Sequence, residues 1–205
     1  MWYTIAKNLV AFVLRFYHRV EVTGASNIPK TGPLILVGNH VSYIDPFYIG
    51  GSFPRKVHYM AKKESFSHPV LNTILTKLES FPVQRGKTDL RAIRTAFAFL
   101  KEGEVVGMFP EGSRRDDHPM EEIKQGAAYI ALKSKAQLLP VYIEGTSQAL
   151  PRHAKWIRPA RVTIRYGSPI SVDPSGGRRE QERLSNELLH ALHQLAQEKR
   201  NQRVS

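Results

Sequence analysis

The run Asn39-His40-Val41-Ser42-Tyr43-Ile44-Asp45 holds an imidazole and a carboxylate separated by four residues, a pair able to remove a proton from a hydroxyl. In such a dyad the carboxylate accepts one imidazole N–H, fixes the tautomer and stabilises the imidazolium, and the other ring nitrogen acts as general base. An unbroken helix would turn about 500° between the two positions and set them on different faces. The pair therefore requires a break, with His40 at a strand end and Asp45 at a helix start. Pro46 supplies it, because proline disfavours α geometry in the residue before it and fits a helix's first turn. The plainer alternative makes Asp45 a helix cap and His40 a hydrogen-bonded strand-end histidine.

With this base the nucleophile is the substrate's own hydroxyl. The chain has no cysteine, and Gly145-Thr146-Ser147-Gln148-Ala149 lacks the last glycine of a serine nucleophile elbow. A thioester donor suits such chemistry, since its thiolate, with a pKa of roughly 8.5 if like cysteine's, departs with little help.

Three further segments carry groups suited to an anion. Phe109-Pro110-Glu111-Gly112-Ser113-Arg114 ends an apolar run with a carboxylate, a flexible glycine, a hydroxyl and Arg114–Arg115, equipment for a phosphorylated polyol. Arg85 closes the run Phe81 to Arg85, and Lys124 with Gly126 offers an anion contact near a helix start. A solvated turn or surface arginine is the alternative for each taken alone.

Alternating elements must hold these groups. Pro33 to Gly38 is an almost unbroken apolar run, the pattern of a strand buried on both faces. Strands are also expected at Val20–Thr23, Val57–Ala61, up to Arg85, at Glu104–Phe109, Gln137–Glu144 and Arg161–Gly167. Helical spacing recurs in Val70, Leu71, Ile74, Leu75 and Leu78, and in Leu90, Ile93, Phe97 and Leu100, with Gly103 as C-cap. Helices are further expected at Gly126–Ala136 and over Leu184, Leu188, Leu192 and Leu195. The alternation predicts an α/β single domain with a mainly parallel central sheet flanked by helices. Ligands of such sheets lie beyond the strands' carboxyl ends, so the motifs after Gly38, at Gln84–Arg85, after Phe109 and after Ile143 should converge on one edge.

The 205 residues, 41% hydrophobic and 23% charged, fit one globular domain rather than a disordered or multi-span chain. Thirty Lys and Arg against 18 Asp and Glu give a net charge of +12, which favours a membrane surface or phosphate-bearing ligands. Nucleic acid is not expected, for there is neither a Cys/His finger nor an aromatic RNP-like strand. Asp116-Asp117-His118, and His190 with His193, read as solvated surface, so no metal is assigned.

Residues 1–19 read as an amphipathic membrane-associating helix ahead of a domain at 20–205. Lys7 and Arg15 limit the longest uncharged run to seven residues, far below the roughly 20 that span a bilayer. Trp2, Ile5, Ala6, Leu9, Val13, Phe16 and Val20 share a helical face, with Trp2 and Tyr3 suited to headgroup depth. An ordinary helix packed on the domain's core is the alternative. No secretory cleavage pattern is present, so the expected place is the cytoplasmic face of a membrane, monotopic or peripheral.

In this order, NHVSYID, PVQRG, FPEGSRR and LLPVYI resemble the glycerophospholipid acyltransferases, especially the 1-acylglycerol-3-phosphate O-acyltransferases, over about Val20 to Gly167. The resemblance implies His40 as base and Asp45 as its partner. It further implies Asn39, Arg85, Glu111, Gly112, Ser113, Arg114, Lys124 and Gly126 around the acceptor, and Pro140 with Val141 at the acyl-side pocket. Oxyanion donors stay unassigned, the Gly112 N–H being one candidate. The implied reaction moves an acyl group from acyl-CoA or acyl carrier protein to the sn-2 hydroxyl of lysophosphatidic acid, at an anionic membrane and without a cofactor. The alternatives are an acyltransferase with another acceptor (glycerol 3-phosphate, a lysophospholipid or a lyso-aminolipid), a hydrolase, or a non-enzymatic basic membrane-binding module.

Overall fold

The computed structural model describes residues 17–84, 86, 88–110, 125–151, 154 and 156–202. Most of the expected N-terminal helix, together with Arg85, Glu111, Gly112, Ser113, Arg114 and Lys124, lies outside the described residues. In chain order the elements are β1 (Arg19–Thr23), β2 (Leu34–Gly38), α1 (Asp45–Ser52), β3 (Val57–Lys62), α2 (Pro69–Lys77), β4 (Phe81–Val83) and α3 (Leu90–Lys101). They continue with β5 (Val105–Met108), α4 (Gly126–Ser134), β6 (Gln137–Glu144), α5 (Thr146–Ala149), β7 (Arg161–Tyr166) and α6 (Gly177–Gln202). The helix expected to reach Ala136 stops at Ser134 because Lys135 turns left-handed, with φ 57°.

The strands form one sheet in the order β1-β7-β6-β2-β5-β3-β4. From β6 to β4 every pairing is parallel, as expected for strands joined by helical crossovers. β7 runs antiparallel to β6, and β1 pairs parallel with β7. The sheet is therefore mainly parallel with a reversed flank, and the starts of β1 and β7 reach the same edge as the ends of β2, β5 and β6.

All five residues of β2 are buried, and their alternation divides the core. Ile35 and Val37 pack in a cluster with Ala92, Ala96 and Leu100 of α3, Ala127 and Ile130 of α4, and Leu184, Leu188 and Leu192 of α6. Leu34 and Leu36 face the opposite cluster with Tyr48 and Ile49 of α1. Helices thus cover both faces, which is why β2 carries no polar side chain. Replacing one of the buried α6 leucines by Ala would cost roughly 2–5 kcal/mol. Among the described residues no helix is long and apolar enough to cross a membrane.

Candidate active site

The chain leaves β2 at Gly38 and does not enter α1 until Asp45. Pro46 occupies the first turn of α1, and Ile44, not Asp45, is the N-cap residue. Asp45 thus has no capping role, and its carboxylate turns back over the loop it follows. Oδ2 accepts from His40 Nδ1 at 2.9 Å and from the backbone N–H groups of Val41 and Ser42, each at 2.8 Å. Oδ1 accepts from the Thr146 hydroxyl at 2.5 Å. Asp45 and Thr146 are both 0% exposed, so water does not compete for these bonds. Charge-assisted bonds of this kind are roughly twice as strong as neutral ones. The arrangement puts a proton on Nδ1 of His40 and the basic lone pair on Nε2.

Neighbouring strand ends hold the imidazole in place. Phe109, one residue past β5, stacks on the His40 ring at 4.3 Å between centroids and 20° between planes. Tyr59 of β3 lies parallel to Phe109 at 5.9 Å between centroids. Behind the pair, burial and, secondarily, the Asp45 charge push the Tyr48 phenol well above its ordinary pKa. It therefore remains a neutral hydroxyl, bonded to His18 Nδ1 at 2.8 Å.

Asn39 extends the sheet by one rung. Its amide nitrogen donates to the Ile143 carbonyl at 2.8 Å and its amide oxygen accepts the Ile143 N–H at 2.7 Å. This locks the exits of β2 and β6 together just where β2 has run out of backbone partners. Past β6, Gly145 has φ 89°, and a Cβ there would lie 2.0 Å from the Arg161 carbonyl oxygen. Only glycine makes this turn without strain, and the turn delivers Thr146 to Asp45.

The geometry is that of an imidazole oriented by a carboxylate that is itself oriented by a hydroxyl, at the carboxyl end of the sheet's central strands. The acyltransferase family model matches residues 19–144, from the start of β1 to the end of β6. The chain belongs to the acyltransferase family. This acyltransferase is 31% identical over 201 residues to the 1-acyl-sn-glycerol-3-phosphate acyltransferase of Bacillus subtilis, the match covering 97% of each chain. The enzyme of that name from Streptococcus pneumoniae is 30% identical over 183 residues, 84% of this chain and 64% of the relative. The chain spans about half the length of a plant relative, 55% of the Limnanthes alba enzyme of the same name. The crystal structure of the 1-acyl-sn-glycerophosphate (LPA) acyltransferase PlsC from Thermotoga maritima superimposes with a TM-score of 0.74 at 25% identity, covering 94% of this chain and 79% of that one.

In this acyltransferase the residues singled out from sequence fall in different places. His40, Asp45 and Asn39 come together at the end of β2. Gly126 is exposed at the start of α4, on the same edge. Pro140 is not brought to the dyad: its ring lies against Gly167, near Leu195 of α6, on the face opposite α1. Arg85 is outside the described residues, but the backbone before it is anchored, the Gln84 N–H donating to Asp89 at 2.9 Å. Asp89 also caps α3 through Arg91 and Ala92. Among the described residues no three His, Cys, Asp or Glu side chains gather as metal ligands would.

Sequence reasoning missed Thr146. The sequence places the segment after Ile143 on the site edge, but gives Thr146 itself no role beyond a failed match to a nucleophile elbow. Its signal was its place immediately past the end of a central strand, where polar residues of parallel sheets gather. Phe109, which the sequence marks only as the last residue of a strand, stacks on the His40 ring.

Proposed function

We propose that this acyltransferase moves a fatty acyl group from an acyl thioester to the sn-2 hydroxyl of 1-acyl-glycerol-3-phosphate, giving phosphatidic acid. The observation that carries the reading is the buried Thr146–Asp45–His40 chain of hydrogen bonds, in a fold whose relatives bear the name 1-acyl-sn-glycerol-3-phosphate acyltransferase. His40 Nε2 removes the hydroxyl proton as the oxygen attacks the thioester carbonyl and a C–O bond forms. The tetrahedral intermediate collapses with cleavage of the C–S bond, and the imidazolium returns its proton to the departing thiolate. Asp45 holds the ring and stabilises its charged form, and general-base catalysis of this kind contributes roughly 10²–10⁴-fold.

Arg85, Glu111, Gly112, Ser113, Arg114, Lys124 and Gly126 are proposed to receive the acceptor's glycerol phosphate, and Asn39 to act by keeping the exits of β2 and β6 in register. The strand order supports this assignment. β5, which leads to the Glu111–Arg114 block, adjoins β2, and β4, which leads to Arg85, lies three strand spacings away, about 14 Å. An arginine side chain and a glycerol phosphate together bridge such a span. The donor is acyl-CoA or acyl carrier protein, both acidic and so suited to a chain of net charge +12. The enzyme works at the cytoplasmic face of an anionic membrane, with the segment 1–19 as an interfacial attachment.

The experiment is transfer from a long-chain acyl-CoA to lysophosphatidic acid, comparing the wild type with His40→Ala. Phosphatidic acid from the wild type alone supports substrate and base together. Equal product from both removes His40 as base, and no product from either removes this donor and acceptor pair.

A further inference from the structure

Four exposed apolar side chains surround the site edge. Trp156 is 82% exposed, Tyr43 61%, Tyr17 48% and Ile157 46%. Scattered exposed apolar residues are ordinary on any surface. These four belong to three segments strapped to one another. The Tyr17 hydroxyl donates to the Ile157 carbonyl at 3.3 Å, and His18 Nε2 pairs with the Arg158 carbonyl at 2.9 Å. The Arg158 N–H donates to the Ala149 carbonyl at 2.8 Å, and the Ser42 hydroxyl donates to the Leu150 carbonyl at 3.3 Å. The connection from α5 to β7 is therefore pinned on one side to the loop that carries His40 and on the other to the start of β1.

Charge accompanies the aromatics. From Pro151 to Arg161 the sequence has four Lys or Arg and no acidic residue. Arg161 is paired in register with Arg19 across β1 and β7, and both are exposed. Like charges directly opposite one another destabilise a sheet, so this exposed pair is a natural place for an anionic headgroup. Indole and phenol rings settle at the headgroup level of a bilayer, and arginines pair with lipid phosphates.

We infer that Trp156 and Ile157, with Tyr17 and Tyr43, form a docking rim that seats the carboxyl edge of the sheet on an anionic lipid bilayer. The rim fixes the height of His40 above the lipid because it is hydrogen-bonded to the His40 loop. Trp156, Ile157 and Tyr43 carry this attachment beyond residues 1–19, and Tyr17, at the end of that segment, joins the two. The inference rests on the proposed function in one respect, that a lipid acceptor reaches His40 from the bilayer through this edge.

The chain has two tryptophans, so Trp2→Phe leaves Trp156 as the sole emitter. On vesicles of mixed phosphatidylcholine and phosphatidylglycerol its emission should shift to the blue, and bromine-labelled lipid should quench it. A Trp156→Ala, Ile157→Ala double variant should bind these vesicles about tenfold more weakly. Arg158→Gln and Arg161→Gln should each weaken binding about fivefold. Circular dichroism should remain that of the wild type, since these side chains are exposed. Transfer to a short-chain lysophosphatidic acid dispersed below micelle formation should persist in the double variant, while transfer to vesicle-embedded acceptor drops. Trp156 emission that stays at its aqueous wavelength while the protein sediments with the vesicles overturns the rim, as does a wild type that does not sediment at all. A wild type inactive on both acceptors counts against the proposed function alone, because the fluorescence result stands without turnover.

Discussion

Thr146 donates its hydroxyl to Asp45 Oδ1 at 2.5 Å, and through this bond the exit of β6 sets the position of the carboxylate that faces His40. The two residues are 101 positions apart in the chain. Thr146→Val keeps the side chain's shape and removes the donor. Leaving a buried carboxylate oxygen unsatisfied should cost roughly 1–3 kcal/mol of stability. Because misplacing a catalytic group is expensive, kcat should fall roughly tenfold to a hundredfold with KM nearly unchanged. Thr146→Ser should restore the rate. A valine variant with the wild-type kcat would show that Asp45 needs no third group.

Asp45→Asn tests the carboxylate itself. An amide accepts through one oxygen only, whereas Asp45 accepts four hydrogen bonds across its two. The charge that stabilises the imidazolium is also lost. Turnover should drop by roughly 10²–10⁴-fold, a range spanned by general-base and triad variants. A pre-steady-state trace with an unchanged chemical step would refute the assignment.

Gly145→Ala should destabilise the fold rather than act on chemistry directly. Its φ of 89° is a conformation L residues rarely adopt, and its Cβ would collide with the Arg161 carbonyl. A cost of roughly 1–3 kcal/mol follows from the backbone conformation alone. Thermal melting should show the loss, and an unshifted midpoint would contradict it.

His58 should make stability depend on pH. Burial holds its pKa below the ordinary 6.5, against smaller upward pulls from the Glu79 carbonyl and from the charges of Glu79 and Glu104. Its ring stacks on Phe99 at 3.7 Å. Below pH 6.5 the unfolded chain takes up a proton that the fold resists. The contribution is therefore complete above that pH and shrinks as pH falls through it. Urea midpoints on either side of pH 6.5 should differ in the wild type and converge in His58→Phe.

Glu180 has the same sign in a lower window. Its hydrogen bonds from Arg183, and with them the Asp173 N–H, hold its pKa at about 2 against an ordinary 4.5. Its stabilisation is present above pH 4.5 and disappears as the group protonates toward about 2. Arg183→Met should move acid unfolding to higher pH. An acid transition at the same pH in both proteins would mean that Arg183 does not hold the carboxylate.

Local chemistry was legible in the sequence. The five buried residues of β2 stand out as an apolar run, and the break that lets His40 meet Asp45 is written in Pro46. Both depend on interactions within six or seven residues of chain, where proline sterics and side-chain periodicity act directly. The contacts of Asn39 and Thr146 were not legible for the opposite reason. Asn39 clamps Ile143, and Thr146 meets Asp45, only because β6 lies beside β2.

From the sequence alone came the α/β class, the dyad, the acyltransferase resemblance and a cationic chain suited to acidic partners. Tertiary structure alone decided that β7 and β1 reverse the flank of the sheet, that Phe109 stacks on His40, and that Tyr17 is bonded to the segment that carries Trp156. Periodicity reports which face of a strand or helix is apolar, and that follows from bonded geometry. Which strand lies beside which is set by burial and closure summed over the whole chain, and no short window of sequence contains that sum.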